Sequence, residues 1–306
     1  MVVTAAPTRS EVAPTTSAGG APAPPAPAVE PVDPRIAIYA AFPRPLKGDP
    51  VDDRLPVVRR MLAGQRFDQA ELATRAVLQS HPRSAEAQFL LALSIHKQKR
   101  YAEARTHFEK TIALRQGFTQ SDHLFHFLGW CLYYDGDLPG ARIAFEEHLR
   151  RVPAEADTIF GLGVVSIEED RIDDAERLFR RAIELQKNDP RLARDTAKAR
   201  VRLADIHVRR DLFDEAAAEL EAALALWPDH YEAWLKLARV YARLGRDADA
   251  ETARTRSDEA MKRVGRAGPA LESRGDTATE GASPPAAAPP EESAPPGSSS
   301  PHSEVR

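Results

Sequence analysis

Residues 122–155 read DHLFHFLGWCLYYDGDLPGARIAFEEHLRRVPAE, and this stretch decides the fold. Leu128 is followed by the small Gly129. Thirteen residues after Leu128 stands Ala141, with Phe145 four residues beyond it and Pro153 twelve beyond it, where a helix must stop. Such a pattern describes two antiparallel helices, A and B, closed by a short turn. The small residue in A and the alanine in B let the backbones approach, while bulky residues at helical spacing fill the space around that contact. One pair cannot bury its apolar faces alone, so neighbours must stack on it.

The pattern recurs on both sides. Ala70, Ala104, Ala141, Ala175, Ala216 and Ala250 are spaced by 34, 37, 34, 41 and 34 residues. Thirteen residues before each alanine is an aliphatic: Val57, Leu91, Leu128, Leu162, Leu203 and Leu237. The next position is mostly small, as in Ala92, Gly129, Gly163, Ala204 and Ala238. Four residues after the alanine come Thr74, Phe108, Phe145, Phe179 and Leu220, and Pro82, Pro153 and Pro228 share one phase.

These residues resemble the tetratricopeptide repeat, whose pattern is W-x2-L-G-x2-Y, then A-x3-F, then P; Trp234-x2-Leu237-Ala238-x2-Tyr241 supplies its first part and repeat 3 the rest. The resemblance implies an all-α fold, a right-handed α-solenoid of about six repeats near 51–84, 85–118, 122–155, 156–189, 190–230 and 231–264. Its pattern is defined by packing residues, so it is specific for fold and unspecific for biochemistry. Repeat 6 departs from it with Asp247 and Arg254, and the polar run Thr252 to Arg263 reads as a solvated end cap. Extra residues fall within Gln116 to Ser121, an inter-repeat loop, and before repeat 5. There Asp189 as N-cap and Pro190 at the first helical position predict a long helix running to about Arg210.

Composition sets the limits of this region. Of 25 prolines, eleven lie in residues 1–50 and eight in 265–306. Residues 1–34 and 265–306 therefore read as disordered Ala/Pro- and Pro/Ser-rich tails around a repeat domain over 51–264. Between tail and repeats, residues 35–50 hold the apolar run Arg35 to Phe42. Three readings of it stand: a cap on the open end of repeat 1, an internal ligand lying in the groove, or a docking motif for another protein.

In the family the A helices line a concave face through the second, fifth, ninth and twelfth residues of each unit. Carried onto this chain, that phase gives Arg59, Phe89, Leu93, His96, His123, His126, Trp130, Tyr133, Phe160 and Val164, an aromatic groove suited to an amphipathic helix or apolar peptide of a protein partner. The resemblance implies partner binding as a class, and the expected function is a non-enzymatic scaffold or adaptor. The two-carboxylate clamp of the chaperone-binding members is not expected, because the groove holds Phe89, Leu93 and Phe127 in place of its polar set, and the only asparagine is Asn188.

Other chemistry is weakly represented. A single cysteine, Cys131, allows no intrachain disulfide and no multi-cysteine metal site. His123 and His126 share a helix face, yet no third ligand accompanies them in sequence, so no metal is expected. Gly161-Leu162-Gly163 lies inside an A helix and lacks the lysine of a phosphate loop. No catalytic residues and no cofactor are expected. A net charge of -4 gives no global pull towards nucleic acid or anionic membrane. Between Lys187 and Arg210 the local charge is +5, from eight Lys or Arg and three Asp. That basic helix is the alternative reading, a nucleic-acid-associated or regulatory protein, although no aromatic lies within it to stack on a base. No apolar run is long enough to span a membrane, and no signal sequence opens the chain, so a cytoplasmic protein of unknown oligomeric state is the simplest expectation.

Overall fold

The structure, a computed structural model, describes residues 32–44 and 52–267. The tails read from composition lie outside the described residues except at 32–34 and 265–267. Thirteen α-helices form among the described residues, and no strand: α1 (Pro34–Ala40), α2 (Leu55–Ala63), α3 (Phe67–Ser80), α4 (Ala85–Lys97), α5 (Tyr101–Leu114), α6 (Leu124–Tyr134), α7 (Leu138–Arg151), α8 (Ala156–Glu168), α9 (Ile172–Gln186), α10 (Ala193–Arg209), α11 (Phe213–Leu226), α12 (Tyr231–Arg243) and α13 (Asp247–Ala267). From α2 onward they pair as A and B helices of six repeats. Each B helix packs on its own A helix, each but the last, α13, also packs on the next A helix, and α2–α4, α4–α6 and α6–α8 meet as well.

Every A–B turn is built the same way. Gln65, Lys99, Gly136, Asp170, Asp211 and Gly245 stand at one position of the six repeats, all with φ between 57° and 81°. The residue after each donates its N–H to the carbonyl five residues back, as in Arg66 to Met61 at 2.9 Å, Asp137 to Leu132 at 2.9 Å and Arg171 to Ser166 at 2.8 Å. A left-handed residue with this bond closes the free carbonyls at a helix end. Only two of the six are glycine, which is why sequence reading did not single the position out.

The recurring small residues do what their spacing predicts. A Cβ at Gly163 would stand 2.7 Å from the Phe179 ring, and the recurring alanines from Ala70 to Ala250 are at most 1% exposed. Ion pairs join neighbouring repeats at the rim: Arg100 with Glu71 (2.9 Å), Arg142 with Glu169 (3.2 Å) and Arg210 with Glu176 (2.5 Å). Asp189 caps a single 3-10 turn at Pro190–Leu192, accepting from Arg191 N at 3.0 Å, and α10 follows for 17 residues, so the long helix expected there forms with a break in its first turn. In α13 the buried residues are the small Ala250, Ala253, Ser257 and Ala260, and Ser257 donates to the Tyr231 carbonyl at 2.9 Å.

Two apolar clusters form among the described residues. One runs from Tyr39 to Ile206 and holds most of the aromatic rings; the other runs from Ala197 to Ala253. Helix α10 serves both, giving Ala199, Leu203 and Ile206 to the first and Ala197, Val201 and Ala204 to the second.

The segment over residues 35–42 neither caps repeat 1 nor lies along the A helices. Helix α1 packs on α7, the B helix of repeat 3. Arg35 pairs with Asp137 at the start of α7 (2.5 Å), and Arg151 at its end donates to the carbonyls of Tyr39 (3.1 Å) and Phe42 (2.9 Å). The reason is that Phe125 on α6 offers these two rings an aromatic floor, with ring centres 5.1 and 5.8 Å away, while repeat 1 presents the polar Arg54 at the equivalent position.

Candidate functional site

Of the ten residues expected to line a groove, seven are buried: Phe89, His96, His126, Trp130, Tyr133, Phe160 and Val164. Arg59 and Leu93 are half-buried and His123 is exposed. Phe89, Trp130, Tyr133, Phe160 and Val164 belong to the larger apolar cluster and do not line an open surface. Phe89 sits against Phe108, Phe127 and Phe118, the last delivered by the loop before repeat 3 with its ring centre 5.1 Å away. Trp130 is 1% exposed and packs on Tyr133, Tyr134 and Phe145, and its Nε1 has no hydrogen-bond partner. Phe160 packs on Phe179 at 5.4 Å. Burial pushes the Tyr133 phenol up to about 12.

The polar members are engaged as well. Arg59 of α2 pairs with Glu86 in the first turn of α4. His96 Nδ1 lies 3.3 Å from Cys131 Sγ, and burial holds the His96 imidazole well below its ordinary range and the Cys131 thiol well above its own. His126 and His148 each place Nδ1 2.7 Å from Thr158 Oγ1, and His126 Nε2 lies 3.3 Å from Asp157. One proton arrangement satisfies this chain of groups: His126 Nε2 donates to Asp157, the Thr158 hydroxyl donates to His126 Nδ1, and His148 Nδ1 donates to Thr158. It leaves His148 Nε2 as a buried acceptor without a partner. His123 contributes an exposed ring 5.6 Å from that of His148. His126 and His148 thus join α6 and α7 of repeat 3 to α8 of repeat 4. No cluster of three or more potential metal ligands forms among the described residues.

What reaches the surface beside these rings was only partly foreseen. Phe127, one residue along from a predicted position, is half-buried among Phe89, His96, Phe108 and His126, with the Lys97 ammonium 5.6 Å above its ring. The phase of second, fifth, ninth and twelfth residues passes over it, although the comparison with the two-carboxylate clamp already put Phe127 in the groove; a helix turns by 3.6 residues, so the sixth residue of an A helix shares a face with the second and ninth.

The basic helix is largely neutralised within the chain. Arg191 pairs with Asp189 (2.7 Å), Lys198 with Asp195 (3.4 Å), Arg200 with Glu219 (2.6 Å) and Arg210 with Glu176, while Arg194 lies over the Trp227 ring at 5.3 Å. No helix among the described residues is long and apolar enough to cross a membrane.

Residues 119–265 match the family described as the middle TPR-like domain of cilia and flagella-associated protein 70, and residues 59–117 match the tetratricopeptide repeat itself. The chain is a tetratricopeptide-repeat protein. No curated protein matches it. Solved structures of similar fold include a chain of the APC/C hetero-tetramer Cut9-Hcn1, with 19% identity and a TM-score of 0.57 over 67% of this chain and 39% of that one. This tetratricopeptide chain therefore spans about two fifths of the length of that relative. PilW, a widely conserved type IV pilus biogenesis factor, matches at 17% identity and a TM-score of 0.56, over 65% of this chain and 88% of that one. BtubC from P. vanneervenii matches at 17% identity and 0.53, over 69% and 92%.

Proposed function

We propose that this tetratricopeptide-repeat protein is a non-enzymatic scaffold or adaptor that binds a segment of a protein partner on the A-helix face of repeats 2–4. The observation that carries the reading is Phe127. It is a half-buried ring held rigid by four aromatic or imidazole neighbours, with an ammonium over its face. A fixed ring of this kind anchors a partner at low entropic cost. Leu93, Phe127 and His123 are the contacts; Phe89, His96, Phe108 and His126 hold the Phe127 ring in place.

The test uses wild type, a Leu93→Ser, Phe127→Ser double variant and a Leu72→Ser control as baits in native lysate; Leu72 is 69% exposed on the B helix α3. Partners held by wild type and control are expected to disappear from the double variant while its circular dichroism is unchanged. Recovery of the same partners by all three baits overturns the reading.

A further inference from the structure

The α1 segment has the make-up of a ligand. Seven residues are too few to hold a helix in water without packing. Within α1 only Tyr39 is buried, and Ile36 and Ile38 stay 48% and 47% exposed. The attachment rests on separate points. The Tyr39 and Phe42 rings lie on Phe125, the Arg35 guanidinium meets Asp137, and main-chain carbonyls of Tyr39, Phe42 and Pro43 accept from Arg151 at 3.1, 2.9 and 3.4 Å.

The opposite side of the contact is a built site. The Arg151 side chain is 1% exposed, and its guanidinium is fixed by Glu147 (2.5 Å) and Asp122 (3.3 Å), both from repeat 3. It also lies 4.8 Å from the centre of the Phe125 ring. Its other N–H groups aim at the carbonyls of whatever lies there. Asp137 is fixed by its own N-cap bond to Gly140 N at 2.9 Å. Gly140 leaves the space the Arg35 guanidinium fills, since a Cβ there would collide with it. Arg105 of α5, 2.6 Å from Asp135 and 3.8 Å from Asp137, borders the cleft on the other side. All of these groups except Arg105 belong to repeat 3: Phe125 comes from α6, Glu147 and Arg151 from α7, and Asp137 from the residue before α7.

We propose that the cleft of repeat 3 floored by Phe125 is a linear-motif recognition site, closed in this chain by its own residues 35–43. It takes in trans a peptide with Arg, Tyr and Phe at positions i, i+4 and i+7. Tethering keeps the chain's own segment at an effective concentration of about millimolar, so a competing peptide enters only when that segment is released.

The experiment uses a fluorescein-labelled peptide of residues 33–44, DPRIAIYAAFPR, titrated by anisotropy with the full chain. The Tyr39→Ser, Phe42→Ser chain, whose segment is unseated, is expected to bind it saturably and at least ten-fold more tightly than wild type does. Adding Arg151→Gln to that chain, or replacing the peptide's tyrosine by serine, is expected to remove the binding. The proposal is overturned if the unseated chain binds no better than wild type, or if binding is indifferent to the peptide's tyrosine. Should the double variant lose its helical dichroism, Arg35→Ala replaces it, with the same two readings.

Discussion

Gly129 lies directly beneath the ring of Phe145: a Cβ on it would stand 2.5 Å from Phe145 Cε1. Alanine is the better helix former by about 1 kcal/mol, but the crowding costs about 1–3 kcal/mol in a packed core. Gly129→Ala should therefore lower the Tm by a few degrees, while Gly265→Ala, in the last turn of α13 with open space around it, should leave it unchanged or raise it. Thermal melts by circular dichroism decide between them.

The six left-handed turns invite the reverse exchange. Gln65 and Lys99 hold φ values of 58° and 63° without being glycine. Gln65→Gly and Lys99→Gly should each stabilise the chain by about 0.5–1 kcal/mol, because a Cβ is disfavoured in this conformation. Asp170→Gly and Asp211→Gly should gain less, since Asp enters the left-handed region more readily. A lower denaturation midpoint for Gln65→Gly contradicts this account of the turn.

Acid should weaken the junction of repeats 3 and 4. Burial, reinforced by the nearby His126, His123 and Arg151, pushes His148 down to about 3. In the unfolded chain the same imidazole titrates near about 6.5. Between these values the unfolded state binds a proton that the native state does not, so stability falls as the pH drops from about 6.5 towards 3. Burial shifts His230 down to about 4 and lowers His96 as well, which adds to the slope. His148→Gln should make the plot of Tm against pH shallower over pH 6.5–4 without flattening it.

Cys131 offers a readout of opening. Its thiol is buried, and burial raises its pKa far above that of a free cysteine. Ellman's reagent should label it in denaturant within the mixing time and hardly at all in buffer, at a rate set by unfolding. Rapid stoichiometric labelling of the native chain would contradict the packing of α6 against His96.

The repeat was legible because packing demands small residues where backbones touch and bulky ones around them; Gly129, Ala141 and Phe145 state this demand in their spacing. The A–B turns were not legible, because a left-handed residue can be Gln, Lys or Asp once the helices on either side are fixed. The face was half legible. Helical phase put Phe89, His96 and Trp130 on the right helices, but whether a ring lies open or turned into the neighbouring repeat depends on the spacing of the helices and on Phe118, which arrives from a loop. The docking of residues 35–42 needed Phe125, Asp137 and Arg151 to be brought together across about a hundred residues of sequence, and no local pattern announces that.

The sharing of α10 between two apolar clusters gives the molecule a direction. Stripping repeat 6, and then α11, removes what covers Ala197, Val201 and Ala204, yet Ala199, Leu203 and Ile206 keep their places on the aromatic block. Fraying can therefore proceed inward from α13, helix by helix, and stop at α10. Among the described residues no equivalent stopping point exists at the other end, where one continuous cluster runs from Leu55 to Ile206, so loosening α2 draws on the same core that fixes Phe127.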